Sequence, residues 1–166
     1  MLLVAATLGY GFDLFAKPVL WLQIPSVLEC TGAAFAALLA AIAMLILSRN
    51  VRFLKNLYTE LQSALPDRDW RWNTTAGLAS GFAEEFAFRG VGLALLGPHW
   101  SSLLFGAMHL GWNRSMWFWP IYAALIGWAL AYLTLSTGTI WAAVVFHAVY
   151  NAVLLQAMGR ASSDWK

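Results

Sequence analysis

Glu84, Glu85 and Arg89 fall within "GFAEEFAFRG", residues 81 to 90, in a stretch that is otherwise apolar. A charged side chain at mid-bilayer costs about 2.5 to 3.5 kcal/mol on insertion scales. Three within six residues must therefore face protein or a water-filled cavity. Glu85 and Arg89 are four apart, acid first, which sets them on one helical face in the favourable order for an ion pair. Glu84 is rotated by about 100° from Glu85 and lacks that partner, so the motif divides into one pair and one spare carboxylate.

The next polar residues in apolar surroundings are His109, in "FGAMH", and His147 with Asn151, in "FHAVYN". At about 1.5 Å per residue, Glu84 lies about 15 Å from the start of its helix, and His109 and His147 about 14 and 12 Å from the opposite starts of theirs. All three converge near mid-membrane. His147 and Asn151, four apart, point at the same spot. A glutamate, two histidines and an asparagine in a low-dielectric cavity have the parts for water-activated hydrolysis. A desolvated carboxylate is a stronger base than one in water, and imidazole and amide groups hydrogen-bond a water or a developing oxyanion. Two other uses compete: a structural polar network of hydrogen-bonded core histidines, and a transporter or proton relay. The latter lacks the paired broken helices expected of a transporter.

The elements that must position these groups are membrane helices. The chain is 61% hydrophobic and 11% charged, against roughly 25% charged in soluble domains. Its net charge of +2, with basic residues spread along the chain, excludes nucleic acid as a partner. The single cysteine, Cys30, allows no internal disulfide and no CxxC motif, and reads as packing. A span needs about 20 apolar residues. Candidates are Leu2 to Leu22, Val27 to Ser48, Thr74 to Gly97, Trp100 to Trp112 (short), Met116 to Ser136, and Thr139 to Met158. The first is interrupted by Asp13, Lys17 and Pro18, of which Asp13 and Lys17 can pair.

Between the second and third candidates lie Arg49, Arg52, Lys55, Arg68 and Arg71. Placing that loop in the cytoplasm and alternating onward puts Arg114, Arg160 and Lys166 on the same side, with only Lys17 opposite. Tryptophans such as Trp70, Trp72, Trp100 and Trp117 fall at the predicted boundaries. Leu54, Leu57, Tyr58, Leu61 and Leu65 recur at helical spacing between polar residues, so the loop carries an amphipathic helix at the interface, ended by Pro66. Asn73 or Thr74 is the expected cap of the next span. Gly77 and Gly81 form GxxxG, a surface for close helix approach. The expected fold is all-α: a polytopic transmembrane bundle of about six spans with an interfacial amphipathic helix. It forms one membrane domain over 1–166, with N-terminal spans over 1–48, the cytoplasmic loop over 49–73, a core over 72–158 and both termini cytoplasmic.

The order EExxxR, FxxxH, HxxxN on successive apolar helices, read here as Glu84-Glu85-Arg89, Phe105-His109 and His147-Asn151, resembles the CAAX protease and bacteriocin-processing family of intramembrane proteases. The likeness covers roughly Trp72 to Met158. It implies that Glu84 activates the attacking water and His109 helps to hold it. His147 and Asn151 would stabilise the oxyanion, Arg89 would orient the acidic pair through Glu85, and Phe105 would shape the pocket. It also implies a peptide or membrane-protein substrate, lipidated or not, and residence in a bilayer, the bacterial plasma membrane being the expected one. The glutamate mechanism requires no cofactor. A zinc alternative uses Glu84, His109 and His147 as ligands with an open position, and a non-catalytic alternative is a bacteriocin-immunity or binding protein. "LASG" at Leu78 to Gly81 resembles the serine motif of rhomboid proteases but lacks its first Gly, so Ser80 reads as a packing residue.

Overall fold

A computed structural model describes residues 23–65, 69–111 and 113–161. The first candidate span and its Asp13–Lys17 pair lie outside the described residues, as do Pro66, Arg68, Trp112 and Lys166.

Helix α1, Val27–Asn50, begins where the Ser26 backbone N–H is met by the Glu29 carboxylate at 3.2 Å. Its buried positions are Ala33, Ala37, Ala41, Met44 and Ser48, a stripe three or four residues apart that packs against the last helix. The opposite face, with Phe35, Leu39, Ile42 and Ile46, is exposed and is apolar enough for lipid. Helix α2, Arg52–Ala64, is the expected amphipathic helix. Its apolar face is turned onto the bundle: Leu54 joins a core cluster with Ala37, Met44, Tyr150 and Leu154, and Leu57 is fully buried. Leu65 ends it in an extended conformation, the geometry imposed on a residue that precedes proline.

Helix α3, Trp70–Glu85, starts one turn earlier than the sequence suggests. Asp69 is the cap, accepting the Trp72 N–H at 2.9 Å, and Asn73 is already buried inside the helix. Asp69 wins because its carboxylate meets an otherwise unpaired first-turn donor. The helix runs on into a π-helical segment, Phe86–Gly92, and then into α4, Leu93–Ala107. Within α4 the chain breaks at Gly97, whose φ of 73° favours glycine, and turns back at Pro98. The boundary expected between Thr74 to Gly97 and Trp100 to Trp112 is this break. A short 3₁₀ turn, Arg114–Met116, precedes α5, Trp119–Thr137, which stops at left-handed Gly138. Helix α6, Trp141–Ala161, closes the bundle.

No strand occurs among the described residues, and three of their helices are long and apolar enough to span a membrane: Val27–Asn50, Arg114–Thr137 (the 3₁₀ turn taken with α5) and Trp141–Gly159. The run through α3 carries the buried charges, and the arm after Pro98 is short, so neither has that combination of length and apolarity. Hydrogen bonds from Asn113 to Glu60 (3.0 Å), Gln62 to the Met158 carbonyl (2.8 Å) and Gln156 to the Trp70 carbonyl (2.6 Å) gather α2, the 3₁₀ turn, the start of α3 and the end of α6 at one end of the bundle. Arg49, Arg52, Lys55, Arg71 and Arg114 are thereby collected at that end.

Candidate functional site

Close backbone approach builds the site. A Cβ on Gly77 would lie 2.5 Å from the Ala152 nitrogen, and one on Gly81 would lie 2.5 Å from the Ala148 nitrogen. Only hydrogen at these positions lets α3 rest on α6, and that contact sets Glu84 and Glu85 beside His147 and Asn151. Likewise a Cβ on Gly106 would meet the Pro120 carbonyl at 2.5 Å. This second close approach brings α4, with His109 near its end, against α5.

Glu85 and Arg89 are 0% and 1% exposed. Glu85 Oε1 accepts from Arg89 Nη1 at 3.0 Å and from His147 Nδ1 at 2.6 Å. Arg89 Nη2 donates to the Gly127 carbonyl at 3.0 Å, and its guanidinium lies 4.6 Å from the centre of the Phe105 ring. Gly127 permits this, since a Cβ there would press on both Phe105 and Arg89. The charge of Glu85 is thus met by a cation and an imidazole N–H, as a buried carboxylate requires.

Glu84 lines a cavity of about 280 Å³ together with His109, His147, Asn151 and Ser80. Its Oε2 is enclosed and has no hydrogen-bond partner among the described residues. His109 Nε2 lies 3.7 Å from it and His147 Nε2 3.9 Å. Both rings have Nδ1 engaged, His109 with the Phe105 carbonyl at 2.7 Å and His147 with Glu85. A carbonyl or carboxylate only accepts, so Nδ1 carries the hydrogen in each ring and a neutral Nε2 presents a lone pair. With both rings neutral, three acceptors, one oxygen and two nitrogens, surround one small space. A group that brings its own hydrogens, such as water, satisfies them, and so would a cation.

Asn151 Nδ2 donates to Ser80 Oγ at 3.0 Å, and Ser80 donates to the Gly77 carbonyl at 3.2 Å. Away from these groups the cavity turns apolar, walled by Leu57 and Leu61 of α2, Met44 of α1, and Leu154 and Met158 of α6. Tyr122 and Tyr150, hydrogen-bonded to each other, also line it.

The six residues singled out in the sequence are brought together, and Phe105 packs among them as expected, against His109 (4.6 Å between ring centres) and His147 (5.8 Å). Ser80 is a correction: it hydrogen-bonds into the site rather than serving only to pack. Its signal was present, since Ser80 stands four residues before Glu84 on the same helical face. The Gly127 carbonyl and the tyrosine pair were missed. Backbone acceptors have no sequence signal, and tyrosines in an apolar run resemble ordinary packing. Among the described residues no group of three or more His, Cys, Asp or Glu side chains is arranged to hold a metal ion.

Residues 67–153, just over half of the chain, match the family model described as type II CAAX prenyl endopeptidase Rce1-like. No curated protein and no solved structure matches. The match encloses all six site residues and the three close-approach glycines. The chain belongs to the Rce1-like type II CAAX prenyl endopeptidase family and is accordingly an integral membrane protease.

Proposed function

We propose that the chain hydrolyses a peptide bond of a membrane-associated substrate with a water activated by Glu84. The observation that carries this reading is the ring of acceptors: the unpaired Glu84 Oε2 and the two Nε2 lone pairs at 3.7 and 3.9 Å. A water donates one hydrogen to Glu84 and the other to His109, which aims its oxygen lone pair into the cavity. As that oxygen bonds to the scissile carbonyl carbon, the water's proton passes to Glu84. The carbonyl oxygen becomes an oxyanion, to which Asn151 donates its second amide hydrogen. Glu84 then returns its proton to the leaving nitrogen as the C–N bond breaks. Glu85 and Arg89 hold His147 in register and take no proton.

The apolar arm of the cavity suits an apolar or lipidated segment of the substrate. We place the end bearing α2 in the cytoplasm, because the basic residues gather there, and read the chain as one membrane domain with its catalytic core over 72–158. The test is to purify wild type and Glu84→Gln in detergent and to assay both on a quenched-peptide library, with and without a chelator. Cleavage by wild type alone, unchanged by chelation, is expected. Wild-type rates from Glu84→Gln overturn the mechanism, and loss of activity on chelation transfers the same residues to a metal site.

A further inference from the structure

We infer that Ser80 is a positioning residue that selects which end of the Asn151 amide faces the cavity. The inference rests on the reading of Asn151 as an oxyanion donor and adds to it a residue that neither the motifs nor that reading includes.

A serine hydroxyl has one hydrogen to give and lone pairs to receive with. The Ser80 hydrogen is committed to the Gly77 carbonyl, one turn back on the same helix, at 3.2 Å. What Ser80 offers α6 is therefore a lone pair, and the group that meets it at 3.0 Å must be a donor. An asparagine amide carries two hydrogens on Nδ2 and none on Oδ1. Its nitrogen is thus turned to Ser80, the amide plane is fixed by that bond, and the second N–H is left for the cavity that both residues line. Without the Ser80 lone pair the amide is free to rotate by half a turn. It would then present Oδ1, an acceptor, to a developing negative charge.

Two features keep the Ser80 hydrogen on Gly77. The Gly77 and Gly81 backbones lie against α6 at Ala152 and Ala148, so the segment bearing Ser80 is clamped on both sides of it. Gly77 is buried and Ser80 and Asn151 are half-buried, which limits exchange of these bonds with water. Ser80 is also not placed to attack a substrate itself. Its hydrogen bonds run to Gly77 and Asn151, and neither group can take its proton.

The test uses the quenched peptide that wild type cleaves fastest and measures kcat and KM for Ser80→Ala, Ser80→Thr, Ser80→Val, Asn151→Ala and Ser80→Ala/Asn151→Ala, each checked for thermal stability. Ser80→Ala should lower kcat by about tenfold with KM little changed, less than the 10²- to 10³-fold typical of losing an oxyanion donor outright. Ser80→Thr should restore most of kcat. Ser80→Val, of matching shape but without a hydroxyl, should not, and this pair decides the matter if the alanine variant fails to fold. The double variant should be no slower than Asn151→Ala, because the serine acts only through that amide. Wild-type kcat in Ser80→Ala beside a slow Asn151→Ala overturns the role of Ser80 and leaves the oxyanion reading standing. A raised KM with unchanged kcat overturns it too, making Ser80 part of the cavity wall. Wild-type kcat in Asn151→Ala overturns the oxyanion reading, and the role of Ser80 with it.

Discussion

Glu84 and Glu85 are consecutive, yet they belong to two regions built on opposite terms. Around Glu85 lie Arg89, His147, Phe105 and the Gly127 carbonyl, with both charges buried and paired at 3.0 Å or less. Around Glu84 the acceptors outnumber the donors, and the carboxylate opens on a cavity. About 100° of helix rotation separates a region that stabilises the bundle from one whose polar atoms are held ready for an incoming molecule. Polar groups buried in apolar surroundings follow one rule, that every one be met. The first region meets its charges with protein atoms, all through Glu85 Oε1, with Oε2 buried and unbonded among the described residues, and the second leaves its acceptors to an incoming molecule.

If this contrast is right, substitutions in the two regions should separate activity from stability. The largest expected effect is that of Glu84→Gln, which should lower kcat by about 10²- to 10⁴-fold, the contribution typical of a general base, with a melting temperature close to wild type. Peptide cleavage rates beside a thermal-shift measurement check it, and a large stability loss would erase the distinction. Arg89→Met should do the reverse. Leaving Glu85 buried without its cation costs about 3 to 5 kcal/mol, visible as a lowered melting temperature or as aggregation in detergent. Gly81→Ala should damage both regions, since its Cβ meets the Ala148 backbone at 2.5 Å. Overpacking costs about 1 to 3 kcal/mol, and widening the gap between α3 and α6 should slow cleavage as well. Asn113→Ala should do least. It removes an exposed bond to Glu60 at 3.0 Å and should shift stability by less than about 0.5 kcal/mol without changing kcat. A strong loss of activity there would tie α2 to the chemistry.

The helical bundle and the grouping of six candidate residues were legible because membrane burial makes exceptions conspicuous. Glu84, Glu85, Arg89, His109, His147 and Asn151 stand out against apolar neighbours, and spacings of four put them on shared faces. GxxxG at Gly77 and Gly81 was equally plain, though its partners Ala148 and Ala152 were not, because alanine carries no pattern of its own. The cap at Asp69 was misread since Asn73 and Thr74 stood nearer the apolar run. The π-helical stretch at Phe86–Gly92 and the Arg89 bond to Gly127 depend on tertiary contact. Nothing local in "FAFRGVG" distinguishes a π turn from an α turn. The division of labour between the two glutamates was half visible: Glu85 had a partner in the sequence, but the tautomers that turn two lone pairs toward Glu84 come from Phe105 and Glu85 only when the helices are assembled.

The apolar wall of the cavity has a different origin from its polar end. Met44, Leu57 and Leu61 come from helices that precede residues 67–153, the part matched to the family, whereas Glu84, His109, His147 and Asn151 lie inside it. The cavity is in this sense shared between a tool inside the family match and a jig that lies before it. The jig is not loose: Met44 and Leu54 pack with Tyr150 and Leu154, so a change in the segment that shapes the cavity is felt by the helix that carries His147 and Asn151.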